Sequence, residues 1–579
     1  MRSISAALLV FAVALAASAQ PPKIVFTPGG TGGVPSTGSK APPVPDKPGV
    51  IIFRPMGTAD AAPVLTTPPQ PVPVQPLPKA VAPVLPAQPP EKKDGKVLFD
   101  YWFAAAVEGD RIGYLHWTAS EVERNGQKLW HGNKYQKLTV ARFGQIVSQW
   151  GEDSTVETPD GEVVVTSTRQ GLGKDQAMAI TGVVEGKTLK VKGEGIAAEA
   201  ASKPWPGGVI GVAREPKLFA QKKPAVGESF DYLTYVAQAN QAVKVTVVFE
   251  AEEQLSLWPN TAPRKLKRFV SRMEPIGPIK LPPATTWCDA ESHEPLRVEF
   301  DFPGLGGRVT FLRTTKEAAM APVGRVPDLF NVQSIRLDRE IPGIHGRGSV
   351  VYKFAVPKED DPATIIPSES RQELKNLDAK AKTFELHVSA SHGPAKDAKP
   401  LPAPGKEFLD GNYFIASDDA AVKGHAAKAV AGLPAGATAW EKGMAVERWV
   451  NQNMRAIEFS QAMATADNVA RTLSGDCTEY AMLAAAMCRA RGVPSRTVLG
   501  LVYAGGRDGK PFLAYHMWFE VFAEGQWLPL DATLAHGGVG PGHIKITDHS
   551  WHDEKSFVPL LPVLRVLVAK PAVEVLGAK

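Results

Sequence analysis

Cysteine is scarce in this sequence: three thiols in 579 residues, Cys288, Cys477 and Cys488, cannot build a disulfide framework, so apolar cores must hold the fold. Cys477 and Cys488 lie eleven positions apart in one helical pattern, ~16 Å by helix rise, and cannot bridge each other. A Cys288–Cys488 pairing stays open at this level. Charge of one sign is scarce too. Lys and Arg number 65 against 60 Asp and Glu, and the resulting +5, spread over this length, singles out neither nucleic acid nor an anionic membrane. The local run Arg264, Lys265, Lys267, Arg268 then reads as a solvated strand face. Past the N-terminus no stretch approaches the ~20 apolar residues that span a bilayer. No histidine spacing matches a defined zinc pattern. His536, His543, His549 and His552, with Asp548 and Asp553, are the one rival cluster, and they flank the irregular loop Gly537-Gly538-Val539-Gly540-Pro541-Gly542. No metal and no cofactor is expected.

What is present describes a globular chain. With 44% hydrophobic and 22% charged residues, the length allows three or four domains with sizeable cores. Residues 1–19 carry Arg2, an apolar run from Ile4 to Ala17 and then Ala17-Ser18-Ala19, the pattern of a cleavable signal peptide, so the mature chain should begin near Gln20 and reside outside the cytoplasm, secreted or periplasmic. No cysteine follows that site, so no lipid anchor is expected there. Residues 20–96 are rich in proline, as in Pro68-Pro69-Gln70-Pro71, and read as a semi-rigid extended linker. From Val97 to Arg325 short alternating strands are divided by Asn125-Gly126, Pro159-Asp160-Gly161 and Glu185-Gly186, which predicts a long, curved antiparallel sheet. Strands at Ser349 to Ala355 and Thr383 to Ser389 predict a small β-sandwich over 326–404. Helical pattern begins only after Phe408, in a last α+β domain spanning 405–579, where the apolar run Phe557 to Val568, holding Pro559, Pro562 and Arg565, reads as a closing strand.

The chemistry gathers in that last domain. Tyr480, Leu483, Ala484 and Met487 recur at helical spacing, Gly492 and Pro494 end the pattern, and Asp476 with Glu479 forms a capping box, so Cys477 occupies the first turn of an amphipathic helix. There the free backbone N–H groups favour an anion, and the thiolate should form more easily than the ~8.5 of a free cysteine suggests. Val446, Trp449, Val450 and Met454 mark a second core-facing helix beside it, in which Trp449, Asn451 and Asn453 read as packing and surface. Downstream, Glu524-Gly525 suits a two-residue hairpin turn between strands around Tyr515–Phe522 and Trp527–Thr533. In that register His516 faces Thr533 and has Asp531 as its diagonal neighbour, on the face opposite the apolar strip Met517, Phe519, Val521, Leu528 and Leu530. A carboxylate that orients an imidazole, which deprotonates a thiol, is what acyl transfer through cysteine requires.

Gly475-Asp476-Cys477-Thr478-Glu479-Tyr480-Ala481, then Arg489 to Arg496, His516-Met517-Trp518 and Leu530-Asp531-Ala532-Thr533, resemble the bacterial transglutaminase-like superfamily, in the same order of cysteine, histidine and aspartate. The resemblance covers the C-terminal third. It implies a papain-like core with Cys477 as nucleophile, His516 as general base and acid, and Asp531 as orienter. Peptide or protein amides are then the expected substrates, with hydrolysis preferred over amine cross-linking because an amine must outcompete ~55 M water at the thioester. Trp518 and Trp527 are candidate walls of a water-excluding cleft. The Cys477 N–H is the natural first oxyanion donor, with Gln461, Asn468 and Trp449 as candidates for the second. A different class of function also fits the size of the β region: a scaffold that holds a partner and carries a vestigial thiol domain.

Overall fold

The computed structural model describes residues 95–579 apart from 143–144, 173–175, 195–200, 238–239, 259–260, 278–279, 303–304, 325, 327–333, 370, 457–463, 506–509 and 553–557. Of the first 94 residues it describes two short strands, Ile24–Phe26 and Ile51–Phe53, paired in parallel. The signal peptide and the rest of the proline-rich linker lie outside the described residues, as does Gln461. No helix among the described residues is long and apolar enough to cross a membrane.

Fourteen strands between Val97 and Thr314 form one antiparallel sheet. Its first strand, Val97–Val107, lies mid-sheet, paired with Asp110–Arg124 on one side and with Gly307–Thr314 on the other, and two meanders run outward from there. Asn125 and Gly126 both have positive φ, as a tight hairpin between twisted strands demands. The sheet curls because one segment serves both edges. Trp205 N donates to Lys187 O near the Thr188–Glu194 strand, and Ile210 N donates to Leu233 O of the far edge strand Ser229–Val236. The inner face carries Phe103, Ile112, Trp117, Val245, Phe269 and Phe311, all buried. Trp117 Nε1 donates to Val212 O, tying this core to the same segment. The basic run is a strand face paired across the sheet, Arg264 with Asp289 and Lys265 with Glu252. Cys288 is buried in this sheet, and the three cysteines are unbridged.

The remainder of the chain contains β1 (Ile335–Arg336), β2 (Ser349–Ala355), β3 (Gln372–Asp378), β4 (Thr383–Ser389), α1 (Ala420–Val430), α2 (Ala439–Asn453), α3 (Ala466–Thr472) and α4 (Cys477–Ala490). These are followed by β5 (Ser495–Ala504), β6 (Phe512–Ala523), β7 (Gln526–Leu530), β8 (His543–His549), α5 (Leu561–Ala569) and β9 (Ala572–Ala578). The strands anticipated at 349–355 and 383–389 are β2 and β4, but in place of a sandwich confined to 326–404 they form a single four-stranded sheet in the order β3-β4-β2-β9. Its last strand comes from the far end of the chain. The apolar run expected to close the domain as a strand is helical from Leu561, with Pro562 in the first turn, where its missing N–H costs nothing. Arg565 points from α5 to Glu359, at 2.8 Å.

The second sheet, β1-β6-β5-β8 with β7 also on β6, supports the helices. The hairpin register is the anticipated one, Ala523 opposite Gln526 and Phe519 opposite Leu530, because Glu524 and Gly525 both adopt positive φ. Met517, Phe519, Val521, Leu528 and Leu530 are all buried, and α2 and α4 pack on β6. α4 departs from the amphipathic reading: every residue from Cys477 to Arg489 is buried, since α1, α2 and α3 surround it where solvent was anticipated.

Candidate active site

Cys477 opens α4. Asp476 caps the helix by accepting from Thr478 N at 3.0 Å, and Glu479 reaches back to accept from Asp476 N at 2.9 Å, the reciprocal bonds of a capping box. Glycine precedes them for a steric reason: a Cβ on Gly475 would lie 2.4 Å from the Cβ of Glu479. Burial, then the neighbouring Asp476 charge, raises the Glu479 carboxyl well above the usual range. The other two thiols are chemically quiet, because full burial pushes both Cys288 and Cys488 up.

His516 stands on β6 with its Nε2 2.8 Å from Asp531 Oδ2. Asp531 follows the end of β7 in a turn that fixes it closely: Oδ1 accepts from Thr533 N at 2.8 Å, while its own N–H donates to Glu447 Oε1 at 3.1 Å. Glu447, on α2, also accepts from Gly537 N, and Asn451 Nδ2 donates to the carbonyls of Ala532 and Thr533. Glu447 is held up to about 8 by burial and by the charge of Asp531. Burial alone would raise Asp531 as well, but the charge of His516 and the N–H groups of His516 and His543 outweigh it and hold this carboxyl well below the usual range.

A second imidazole shares the carboxylate, since His543 Nε2 lies 3.0 Å from the same Oδ2. An ionised carboxylate only accepts, so both Nε2 atoms carry hydrogen and a neutral His516 has its lone pair on Nδ1. That Nδ1 is buried and has no hydrogen-bond partner. His516 is only 3% exposed, Asp531 1% and Cys477 0%, so the face opposite the apolar strip is closed as well.

Trp518 lies beside the imidazoles, stacked on His516 at 6.2 Å and edge-on to His543 at 5.3 Å between ring centres. Trp527 lies at the hairpin tip, among Phe408, Phe522 and Arg496, and is not part of this group. Trp449 lies tilted against His425 with ring centres 4.7 Å apart, and Asn453 Nδ2 donates back to Trp449 O. Of the histidine cluster flanking the glycine-rich loop, His543 hydrogen-bonds Asp531, and His536 stacks on His345. Asp548 faces Arg496 and Lys545, and Asp553 lies outside the described residues. His516, Asp531 and His543 are the one compact His/Asp grouping among the described residues, and hydrogen bonds to the shared carboxylate account for their convergence.

His345, from the turn at 344–346, approaches His543 at 5.8 Å and His536 at 5.5 Å. Burial holds His543 down to about 4 and, with the charges of His543 and His536 added, His345 down to about 3. A ring that is neutral when folded takes up a proton on unfolding at any pH between its folded value and the ordinary 6.5. The stability this supplies is complete above 6.5 and is lost as pH falls towards 4. Because Glu447 and Glu479, held high, act in the opposite sense over the same window, the contribution of the rings is read as a difference. The fall in urea midpoint from pH 7 to pH 4 should be smaller in His345→Leu than in the unaltered chain, and equal profiles would exclude a buried neutral ring there.

A model of the transglutaminase-like superfamily core matches residues 425–532, a stretch that runs from α1 through Cys477 and His516 to the turn holding Asp531. The C-terminal domain is transglutaminase-like. Solved structures similar to the chain include a provisionally assigned cysteine protease from Cytophaga hutchinsonii (16% identity, 40% of this chain and 81% of that one, TM-score 0.25). Another is a β-barrel-like protein of a domain of unknown function from Brucella abortus (11%, 38% and 98%, TM-score 0.27), and a third is described as a TGase (17%, 28% and 43%, TM-score 0.15). No curated protein matches the chain. In the transglutaminase-like domain, sequence reasoning missed Glu447 and the link between His543 and Asp531. Only the placement of β8 beside β5 could have revealed the latter.

Proposed function

We propose that the protein is a thiol acyl-transfer enzyme acting on protein or peptide amides, with hydrolysis preferred. The observation that carries this reading is the imidazole of His516, anchored at Nε2 by Asp531 and unpartnered at Nδ1, on the strand against which the Cys477 helix packs. In the reaction the Cys477 sulfur attacks the amide carbon while His516 Nδ1 takes the thiol proton and passes it to the departing amine. Water, deprotonated by the same nitrogen, then attacks the thioester. The carboxylic acid leaves and the thiol regains its proton. The N–H groups at the start of α4 supply charge stabilisation for the tetrahedral intermediate.

Supporting a cross-linking alternative is Trp518, whose buried indole beside His516 could exclude water from the thioester. Export from the cytoplasm is part of the same proposal, carried by the pattern of residues 1–19. Three experiments separate the readings. An electrophilic peptide amide analogue should form an adduct at Cys477 and at neither Cys288 nor Cys488. A glutamine peptide library, assayed with millimolar primary amine, should give more hydrolysis than amine incorporation. Adducts at Cys288 alone would reject the enzyme reading, and a Cys477→Ala variant that keeps full cellular function would favour a scaffold.

A further inference from the structure

His543 has one side-chain hydrogen bond, from its Nε2 to Asp531 Oδ2, and its Nδ1 is buried without a partner. Among the described residues the ring's hydrogen-bond partner is thus the carboxylate. Its delivery there depends on two features. β8 pairs with β5 so that His543 stands opposite Val502, two rungs along β5 from Gly500, which faces His516 on β6. A Cβ on Gly500 would come within 2.5 Å of Trp518 Cη2 and 2.1 Å of Ile544 O, so the glycine leaves space for the indole that flanks both imidazoles.

We propose that His543 is a positioning residue for the acyl-transfer chemistry: by donating Nε2–H to the oxygen that also receives His516, it orients the carboxylate and withdraws part of its charge from His516. The inference rests on the triad reading above. A carboxylate whose charge is already engaged by a second donor stabilises an imidazolium less than one that faces His516 alone. Without His543 the carboxylate would turn more freely and bind a protonated His516 more strongly.

The groups facing His543 leave it in this neutral donor role. Asp531 faces it from the turn after β7, His516 and Trp518 from β6, and His345 from the turn at 344–346, with His536 behind His345. Arg371 donates to the backbone carbonyl of His543 at 2.8 Å. Glu447 touches the other end of Asp531, at its N–H. Among the described residues Asp531 is the one anion in hydrogen-bond contact with the ring, and burial, then His516 and Arg371, disfavour a proton on it.

The test uses the full chain with ring-labelled histidine, following the protonation midpoint of His516 by NMR, its signal assigned by loss in His516→Gln. Leu at position 543 fills the space without donating, and Gln places a donor N–H where Nε2 was. His543→Leu should raise the His516 midpoint by about half a unit or more and move the acid limb of Cys477 carboxymethylation upward with it. His543→Gln should restore both. An unmoved midpoint in the Leu variant, or a Gln variant that behaves like Leu, overturns the inference. The midpoint is read whether or not Cys477 reacts. A carboxymethylation profile that ignores His516→Gln instead overturns the triad reading, and the role of His543 with it. If the Leu variant does not fold, His543→Asn serves, because its shorter side chain withdraws the donor from Oδ2.

Discussion

Asp531→Asn should abolish most of the activity, lowering kcat/KM on a peptide amide by about a thousandfold or more, although it changes one atom. The reason is that the donors around Asp531 leave no orientation for an amide. Oδ2 receives two imidazole N–H groups and Oδ1 receives the backbone N–H of Thr533. An asparagine with its NH2 at the Oδ2 position opposes both rings and drives His516 toward the tautomer with hydrogen on Nδ1, where no thiol proton can be accepted. With its NH2 at the Oδ1 position it opposes Thr533 and must shift the turn. Asp531→Ala removes the acceptor altogether and should be no better. Steady-state kinetics together with Cys477 carboxymethylation rates decide the matter, and a loss below tenfold in both variants would show that Asp531 does not orient the base.

The largest effect on stability should come from Lys545→Met. Lys545 is buried, with Nζ 2.9 Å from Glu369, 3.2 Å from Glu520 and 2.8 Å from Asp548. Arg496 is the other cation of the network, 2.6 Å from Glu520 and 2.8 Å from Asp548. Methionine keeps most of the stem's packing and deletes the charge, leaving three carboxylates to one guanidinium. Breaking a buried ion pair from one side costs about 3–5 kcal/mol, since the orphaned charge keeps its desolvation penalty. Glu369 precedes β3 and Lys545 lies on β8, so the loss should also loosen the four-stranded sheet from the sheet that carries His516. Urea unfolding and limited proteolysis would register it. A change under 1 kcal/mol with unaltered proteolysis would mean that the two bonds between the Gln372 side-chain amide and the Lys545 backbone, at 2.8 and 2.9 Å, hold this contact without help from the ions.

The features legible in the sequence were the local ones. A capping box spans four residues, and a two-residue turn fixes every pairing that follows, so the start of α4 and the β6–β7 register could be read directly. The sheet before Thr314 was equally readable, from alternation and turn residues. Contacts between distant segments could not be read. Nothing near His543 says that β8 lies beside β5, and without that placement its ring cannot be assigned to Asp531. The run from Phe557 was ambiguous in a different way, because a short apolar stretch has no period to separate helix from strand. The full burial of α4 depended on three helices whose packing leaves no local signature.

The pairing of β9 with β2 has a consequence for how the chain is made. Roughly 180 residues separate Ser389 from Ala572, about 10–40 s of synthesis. During that interval β2 has β4 on one side and an open edge on the other, the kind of edge that recruits foreign strands. The fourteen-stranded sheet has all its strands by Thr314 and does not wait. The four-stranded one is a clasp fastened last, around a domain threaded between its third and fourth strands. Cutting the molecule at position 405 therefore does not release a clean transglutaminase-like domain: the C-terminal piece carries away β9, and the N-terminal piece keeps the bare edge of β2.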